Sequence, residues 1–165
     1  MSYHIYTTDA LILSARPLRE ADRVYAVLTR DLGLVKATAL GVRKEGSKLR
    51  GSLEPISFAK LSLVRGKEYW RITSAESEMV VEPKPEILRP LSLLEKLVQG
   101  EAHHPELFEA IKDFLAKEIN DEFETLFVAT MLFHLGYLKE SDLSLPKKEL
   151  TKAINEGIQA SQLHI

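Results

Sequence analysis

The pattern of apolar and polar residues changes character near the middle of the chain. The first half carries short runs of apolar, β-branched and aromatic residues separated by turn residues, which is typical of β-strands. Five such runs are predicted as strands, over residues 10–15, 23–29, 34–40, 56–64 and 69–74. Their spacing predicts a small antiparallel β-barrel, and a small β-sandwich is the competing architecture.

Alternation within the last two runs gives a first assignment of faces. In the run 56–64 alternation separates two sets of residues, and neither set is cleanly apolar. Along the last run it places Tyr69 and Arg71 on one face of the sheet and Trp70 on the other. Trp70 is interpreted as a core residue rather than a base-stacking platform, whereas both roles stay open for Tyr69.

The second half carries apolar residues at helical spacing. A linker is predicted first, over residues 81–90, because three prolines there remove backbone donors and disfavour a helix in the residues before them. A helical domain is predicted over 91–165, with helices over 91–98, 105–119, 121–138 and 146–161, and Ser92 is a candidate cap for the first. The third helix is apolar almost all round, which predicts the central element of a small bundle.

Charge is divided unevenly between the two halves. Residues 1–80 carry 13 Lys and Arg against 9 Asp and Glu, whereas residues 81–165 carry 9 against 15, which gives the net charge of -2. Between Lys36 and Arg71 the balance is 9 cations against 3 anions. Such a division favours a polyanion-binding module joined to a second part, although an unevenly sampled solvated surface gives the same numbers.

Catalytic and metal-binding signatures fail one by one. The segment 41–48 resembles a phosphate-binding loop, but Ser47 precedes Lys48 where nucleotide hydrolysis needs the lysine first. The pair His103 and His104 has no third residue at metal-ligand spacing. The chain has no cysteine, which excludes disulfides and fits a reducing cytoplasm. We therefore predict a protein that is not an enzyme and holds no metal or other cofactor.

A glycine-rich basic segment connects two of the predicted strands. Residues 41–51 hold four cations, one anion and three glycines, a composition that suits close approach to the phosphates of a nucleic acid. The candidate phosphate contacts are Arg43, Lys44, Lys48 and Arg50. Further candidate DNA-binding residues in the first half are Lys36, Arg65, Lys67, Tyr69 and Arg71.

Several short motifs in the chain follow one another in a characteristic order. They are LIL at 11–13, LREADR at 18–23, LTRDLG at 28–33, ALGVRK at 39–44, SKLRGSLEP at 47–55 and ITSAE at 72–76, followed in the second half by LVQGE at 97–101 and MLFHLGY at 131–137. In this order the chain resembles the RecO family of bacterial recombination mediators.

The resemblance implies an α+β protein with an N-terminal OB-fold domain over residues 1–80 and a C-terminal helical domain. It implies a non-enzymatic protein of recombinational DNA repair that binds single- and double-stranded DNA and anneals complementary strands. The implied partners are RecR and often RecF, with which the family loads RecA onto DNA. A further implied partner is the single-stranded DNA-binding protein, which is bound through its C-terminal tail. The implied location is the cytoplasm, in association with the nucleoid, and no membrane is implied as a partner. The family's basic DNA-binding residues map onto Arg43, Lys44, Lys48 and Arg50.

Two features depart from the family pattern and keep alternatives open. Many relatives carry a four-cysteine zinc motif after the leucine-rich helix, whereas residues 136–142 contain no cysteine, so the resemblance implies no metal. The chain is also shorter than typical relatives, which leaves docking of the tail open. The alternatives are a protein–protein adaptor with weak DNA binding and an RNA-binding OB-fold protein.

Overall fold

A computed structural model describes residues 3–98 and 100–161 of the chain. These residues divide into two compact units. The barrel unit contains residues 3–82 and 100–103, and the helical unit contains residues 83–98 and 104–161. Residues 1–2, 99 and 162–165, which fall within the predicted domains and motifs, lie outside the described residues.

Five strands close into a barrel in the order β1-β2-β3-β5-β4. Neighbouring strands are antiparallel except β3 and β5, which run parallel. The strands are β1 (Ile5–Pro17), β2 (Arg23–Thr29), β3 (Gly33–Ala39), β4 (Ser57–Val64) and β5 (Trp70–Val80). A five-stranded Greek-key barrel of this kind is an OB-fold, so the predicted barrel is confirmed and the sandwich is wrong.

The barrel interior is filled by apolar side chains from all five strands. Trp70 is 4% exposed and lies among them, which confirms its interpretation as a core residue. Within β4, Leu61 and Leu63 face this core, while Phe58 and Val64 are buried although they alternate with the inward set. Both faces of β4 therefore bury apolar residues, which is why alternation alone did not separate an inner from an outer face.

Strands β1 and β5 are longer than their apolar runs predicted. β1 begins at Ile5 rather than residue 10, and β5 continues to Val80 rather than residue 74. The extra residues pair with β4, in the registers Ile5↔Val64 and Ser57↔Val80. Backbone pairing with a neighbour extends both strands through residues that are mostly exposed.

The helical unit contains four α-helices and one short 3-10 helix at Glu140–Ser144. Helix α3 packs against each of the other three, as its all-round apolar pattern predicted. The helices are α1 (Pro85–Leu97), α2 (Pro105–Leu115), α3 (Phe123–His134) and α4 (Lys147–Ala160). None of the helices formed by the described residues has the length and apolarity needed to cross a membrane.

Helix α1 begins inside the stretch that was predicted as a linker. Pro85 occupies its first turn, where a missing backbone N–H costs no helical hydrogen bond. Pro90 lies inside the helix and is buried with Ile87 and Leu94, so apolar burial offsets the lost bond. Ser92, the candidate cap, is therefore inside α1, and the linker predicted over 81–90 is too long.

Helix α3 ends earlier than the predicted residue 138 because a glycine caps it. Gly136 has φ +88°, a backbone conformation that side-chain-bearing residues rarely adopt. The N–H groups of Gly136 and Tyr137 donate to the carbonyls of Phe133 and Leu132 at 3.0 and 2.8 Å. This is the hydrogen-bond pattern of a Schellman motif, which terminates a helix.

Candidate nucleic-acid interface

The connection between β3 and β4, here called the basic loop (residues 40–56), is anchored by apolar side chains. Val42 and Leu53 are each 2% exposed and belong to the barrel core. Leu49 packs against the same core and is partly buried. A single 3-10 turn, Arg50–Ser52, lies between the last two anchors. The loop is therefore held along its length although it contains little regular structure.

Backbone hydrogen bonds tie the start of the basic loop to the turn between β1 and β2. The N–H of Gly41 donates to Oδ1 of Asp22 at 2.7 Å. The N–H of Arg43 donates to the carbonyl of Ala21 at 3.0 Å. Gly41 has φ +68°, so this part of the chain uses a conformation that favours glycine. The two connections form one surface of the barrel unit.

The cations of the basic loop point away from its anchors. Arg43, Lys44, Lys48 and Arg50 are all exposed. Within residues 3–98 and 100–161, none of the four forms an ion pair with a carboxylate. Glu45 is exposed beside them and does not neutralise any of the four by contact. The structure thus brings these four predicted residues together on one anchored loop with their charges available.

A second group of predicted residues lies around the pairing of β3 with β5. Ala37 pairs with Trp70, and Thr38 pairs with Arg71. Because Ala37 and Trp70 face the core, Lys36 and Arg71 face outward on adjacent strands, and both are exposed. The predicted separation of Arg71 from Trp70 is confirmed. The register therefore places Arg71 opposite Thr38, and Lys36 lies two residues before Thr38 on the same outer face of the barrel.

Tyr69, the remaining residue of this group, has a partner that the sequence did not indicate. Its side chain is half-buried, and its hydroxyl accepts a hydrogen bond from the guanidinium of Arg16 at 3.4 Å. Arg16 lies near the end of β1 and is exposed. No local pattern marked Arg16, because its approach to Tyr69 depends on how the strands close into a barrel.

The turn between β4 and β5 carries the last two predicted residues, Arg65 and Lys67. Lys67 is exposed. Nη2 of Arg65 instead lies 3.1 Å from Oε2 of Glu101, and the guanidinium carbon of Arg65 is 4.3 Å from the centroid of the Trp70 ring. The indole N–H of Trp70 donates to Oε1 of Glu101 at 2.7 Å. Sequence reasoning missed Glu101, since 36 residues separate it from Arg65.

The described residues contain no cluster of three or more histidines and carboxylates placed to hold a metal ion. His103 and His104, the pair considered in the sequence, fall in different units of the chain. The predicted residues of the barrel unit therefore offer a ligand cationic side chains and the half-buried ring of Tyr69.

The barrel unit belongs to the OB-fold class, and its surface presents a cationic loop. The family model described as "Recombination protein O N terminal" matches residues 1–79, which are nearly the whole barrel. Through this barrel the chain is similar to the RecO family. The resemblance carried by the sequence motifs is thereby confirmed.

Curated proteins named DNA repair protein RecO are similar to this chain. The relative from Heliobacterium modesticaldum is 42% identical over 72 residues, covering 44% of this chain and 26% of the relative. One from Dehalococcoides mccartyi is 42% identical over 74 residues, with 45% and 29% covered. One from Gloeothece citriformis is 32% identical over 143 residues, with 79% and 50% covered. The matches therefore span half or less of these relatives' own length.

Proposed function

We propose that this chain acts in recombinational DNA repair as a DNA-binding and strand-annealing protein that catalyses no covalent step itself. The observation that carries the proposal is the basic loop, with four exposed cations held on an OB-fold barrel and none of them paired with a carboxylate among the described residues. The match to the RecO family model and the names of the relatives support the same role.

The physical argument rests on charge neutralisation. Cations that contact phosphates release the counterions condensed on a strand, which supplies affinity independent of sequence. Two complementary strands repel each other, and a protein surface that neutralises their phosphates lowers this repulsion. Annealing then follows from base pairing alone. In this proposal Arg43, Lys44, Lys48 and Arg50 hold phosphates and need no catalytic group beside them.

The outer face of β3 and β5 extends the proposed interface. Lys36, Arg65, Lys67 and Arg71 are proposed as further phosphate contacts along the strand's path. Tyr69 is proposed to stack on a base, an interaction worth about 1–3 kcal/mol per base in such proteins. Arg16 joins this group because its guanidinium contacts the Tyr69 hydroxyl.

Partners belong to the proposal through the family. We infer that the chain works in the cytoplasm at the nucleoid. It is proposed to act with RecR and RecF in loading RecA onto single strands that are coated with the single-stranded DNA-binding protein. The C-terminal tail of the single-stranded DNA-binding protein is proposed to dock in a cleft of about 300 Å³ within the helical unit. Apolar side chains including Leu126 and Leu143 line this cleft together with Glu122 and Lys147, and the apolar lining suits the apolar residues of a peptide.

The experiment replaces all four loop cations with alanine and measures binding of single-stranded DNA at several salt concentrations. If about five phosphates are neutralised, log affinity of the wild type falls with log salt at a slope of roughly -3 to -4. The variant should lose affinity by orders of magnitude with an almost unchanged melting temperature. A control variant with the same charge change replaces Lys96, Lys147, Lys148 and Lys152 of the helical unit.

Equal losses in the two variants would contradict the assignment to the basic loop. Competition between matched RNA and DNA oligonucleotides separates the RNA-binding alternative, which requires tighter binding of RNA. The adaptor alternative predicts capture of RecR or of the tail peptide by a sample whose DNA titration shows only weak binding.

A further inference from the structure

One cation of the β4–β5 turn is held differently from those of the basic loop. Arg65 and Trp70 approach the same carboxylate, that of Glu101, from two directions. The guanidinium lies 3.1 Å from Oε2, and the indole N–H donates to Oε1 at 2.7 Å. The guanidinium also lies over the indole ring, 4.3 Å from its centroid. Two donors thus converge on the two oxygens of one anion.

This arrangement is a binding position for an oxyanion. Guanidinium and N–H donors make charge-assisted hydrogen bonds to phosphate as they do to carboxylate. The Trp70 ring is buried in the barrel, so the direction of its N–H is fixed whichever anion it meets. The side chains of Arg65 and Glu101 are 62% and 41% exposed, so a strand in solvent reaches the position.

We propose that Arg65 and the Trp70 N–H form a phosphate subsite of the DNA interface, and that Glu101 occupies it as an internal competitor until a strand displaces its carboxylate. This inference rests on the proposed function, because the ligand is a phosphodiester of a DNA strand bound at the same time by the basic loop.

The backbone that carries Glu101 is packed against the barrel, while its side chain remains accessible. A Cβ atom at Gly33 would lie 2.3 Å from the carbonyl oxygen of Ala102 and 2.8 Å from the carbonyl carbon of Glu101. The displaced carboxylate therefore stays close to the subsite and returns when the strand leaves. An exposed ion pair is weak, and a strand already held by the basic loop competes at high effective concentration.

The first test is the variant Glu101→Gln, whose side-chain oxygen still accepts from Trp70 but carries no charge. Its affinity for single-stranded DNA should rise about threefold to fivefold. Arg65→Ala, added to Glu101→Gln, should abolish the gain.

The matched control is Glu68→Gln. Glu68 is exposed in the same turn, and its replacement changes the net charge equally without touching the subsite. Equal gains in Glu68→Gln and Glu101→Gln, or no gain in Glu101→Gln while the wild type binds DNA, would overturn the subsite and leave the proposed function standing.

The second test uses the emission of Trp70, the chain's one tryptophan. Saturating single-stranded DNA should change this emission in the wild type and leave it unchanged in Arg65→Ala, because that variant lacks the subsite. Inorganic phosphate at the same phosphate concentration should give no change, since it is not held by the basic loop. If the wild type binds no DNA in this titration, both the proposed function and the subsite fail. Binding without any change in emission overturns the subsite alone.

Discussion

The basic loop of the barrel unit and the helical unit use arginine in opposite ways. In the helical unit, Arg89 of α1 donates two hydrogen bonds to the carboxylate of Glu124 in α3, at 2.6 and 2.8 Å. In the barrel unit, Arg43 and Arg50 are exposed on the basic loop, and no carboxylate among the described residues pairs with either of them. The same side chain joins two helices in the helical unit and is left without a carboxylate partner on the basic loop.

The difference shows what holds each region in place. The pair of Arg89 and Glu124 contributes to the packing of its helices, whereas the basic loop is held by Val42, Leu53 and a bond to Asp22. Of the loop cations, Arg43 makes one long, exposed contact, from its guanidinium to the carbonyl of Arg19 at 3.4 Å, and the apolar anchors do not depend on it. We expect stability and DNA binding to separate cleanly within this one loop.

The largest expected effect on stability comes from an apolar anchor of the basic loop. Leu53→Ala removes buried methyl groups from the barrel core and should lower the free energy of unfolding by about 3 kcal/mol. Urea unfolding followed by Trp70 emission measures it. The control Arg50→Ala, three residues earlier, should change stability by less than about 0.5 kcal/mol. Similar losses in the two variants would contradict the separation of anchors from cations.

The next largest effect on stability is expected at Gly33, where the backbone of β3 lies close to the backbone of residues 101–102. Gly33 and Gly46 both have positive φ, +76° and +80°, but only at Gly33 would a Cβ meet another segment, at 2.3 Å. Gly33→Ala should cost about 2 kcal/mol or more, and Gly46→Ala about 1 kcal/mol from its backbone conformation alone. Urea unfolding of both variants tests this. Equal losses of unfolding free energy would mean that segment 100–103 moves away from the new Cβ atom at no cost.

The sequence could predict those parts of the barrel unit that local composition determines. Strand β2 has the predicted bounds, and the basic loop is marked by its own glycines and cations. The partnership of Glu101 with Trp70 could not be predicted, because it depends on a segment after α1 returning to the barrel unit. The contact of Arg16 with Tyr69 could not be predicted for the same reason, because it forms only when the strands close into a barrel.

In the helical unit, the existence of each helix was predictable from apolar spacing, but the ends were not. A proline can occupy the first turn of a helix or lie in a linker before it, and composition does not distinguish the two. The start of α1 at Pro85 was therefore not predicted. The end of α3 at His134 was predicted wrongly at residue 138, because apolar residues continue past Gly136, although glycine is the usual residue at that capping position.

A smaller effect is expected where the basic loop meets the turn between β1 and β2. Asp22→Ala leaves the N–H of Gly41 without its acceptor and should cost about 1–2 kcal/mol in urea unfolding. It should also weaken DNA binding, because Arg43 and Lys44 follow this anchor directly. Asp22→Asn keeps an oxygen acceptor and should retain most of both properties. Equal losses in the two variants would show that the charge of Asp22, rather than the hydrogen bond, positions the loop.

The smallest effect tests the paired arginine of the helical unit. The hydrogen bonds from Arg89 lower the pKa of the Glu124 carboxyl below its ordinary value. Such a group stabilises the fold above its unfolded-state pKa, and this contribution is lost as pH falls through the folded-state pKa. Glu124→Gln should therefore melt slightly below the wild type at pH 7, and the difference should shrink as the pH falls below the ordinary pKa of a glutamate carboxyl. Melting followed by circular dichroism checks this, with Glu118→Gln as the exposed control, and a difference that grows on acidification would contradict a stabilising role for the pair.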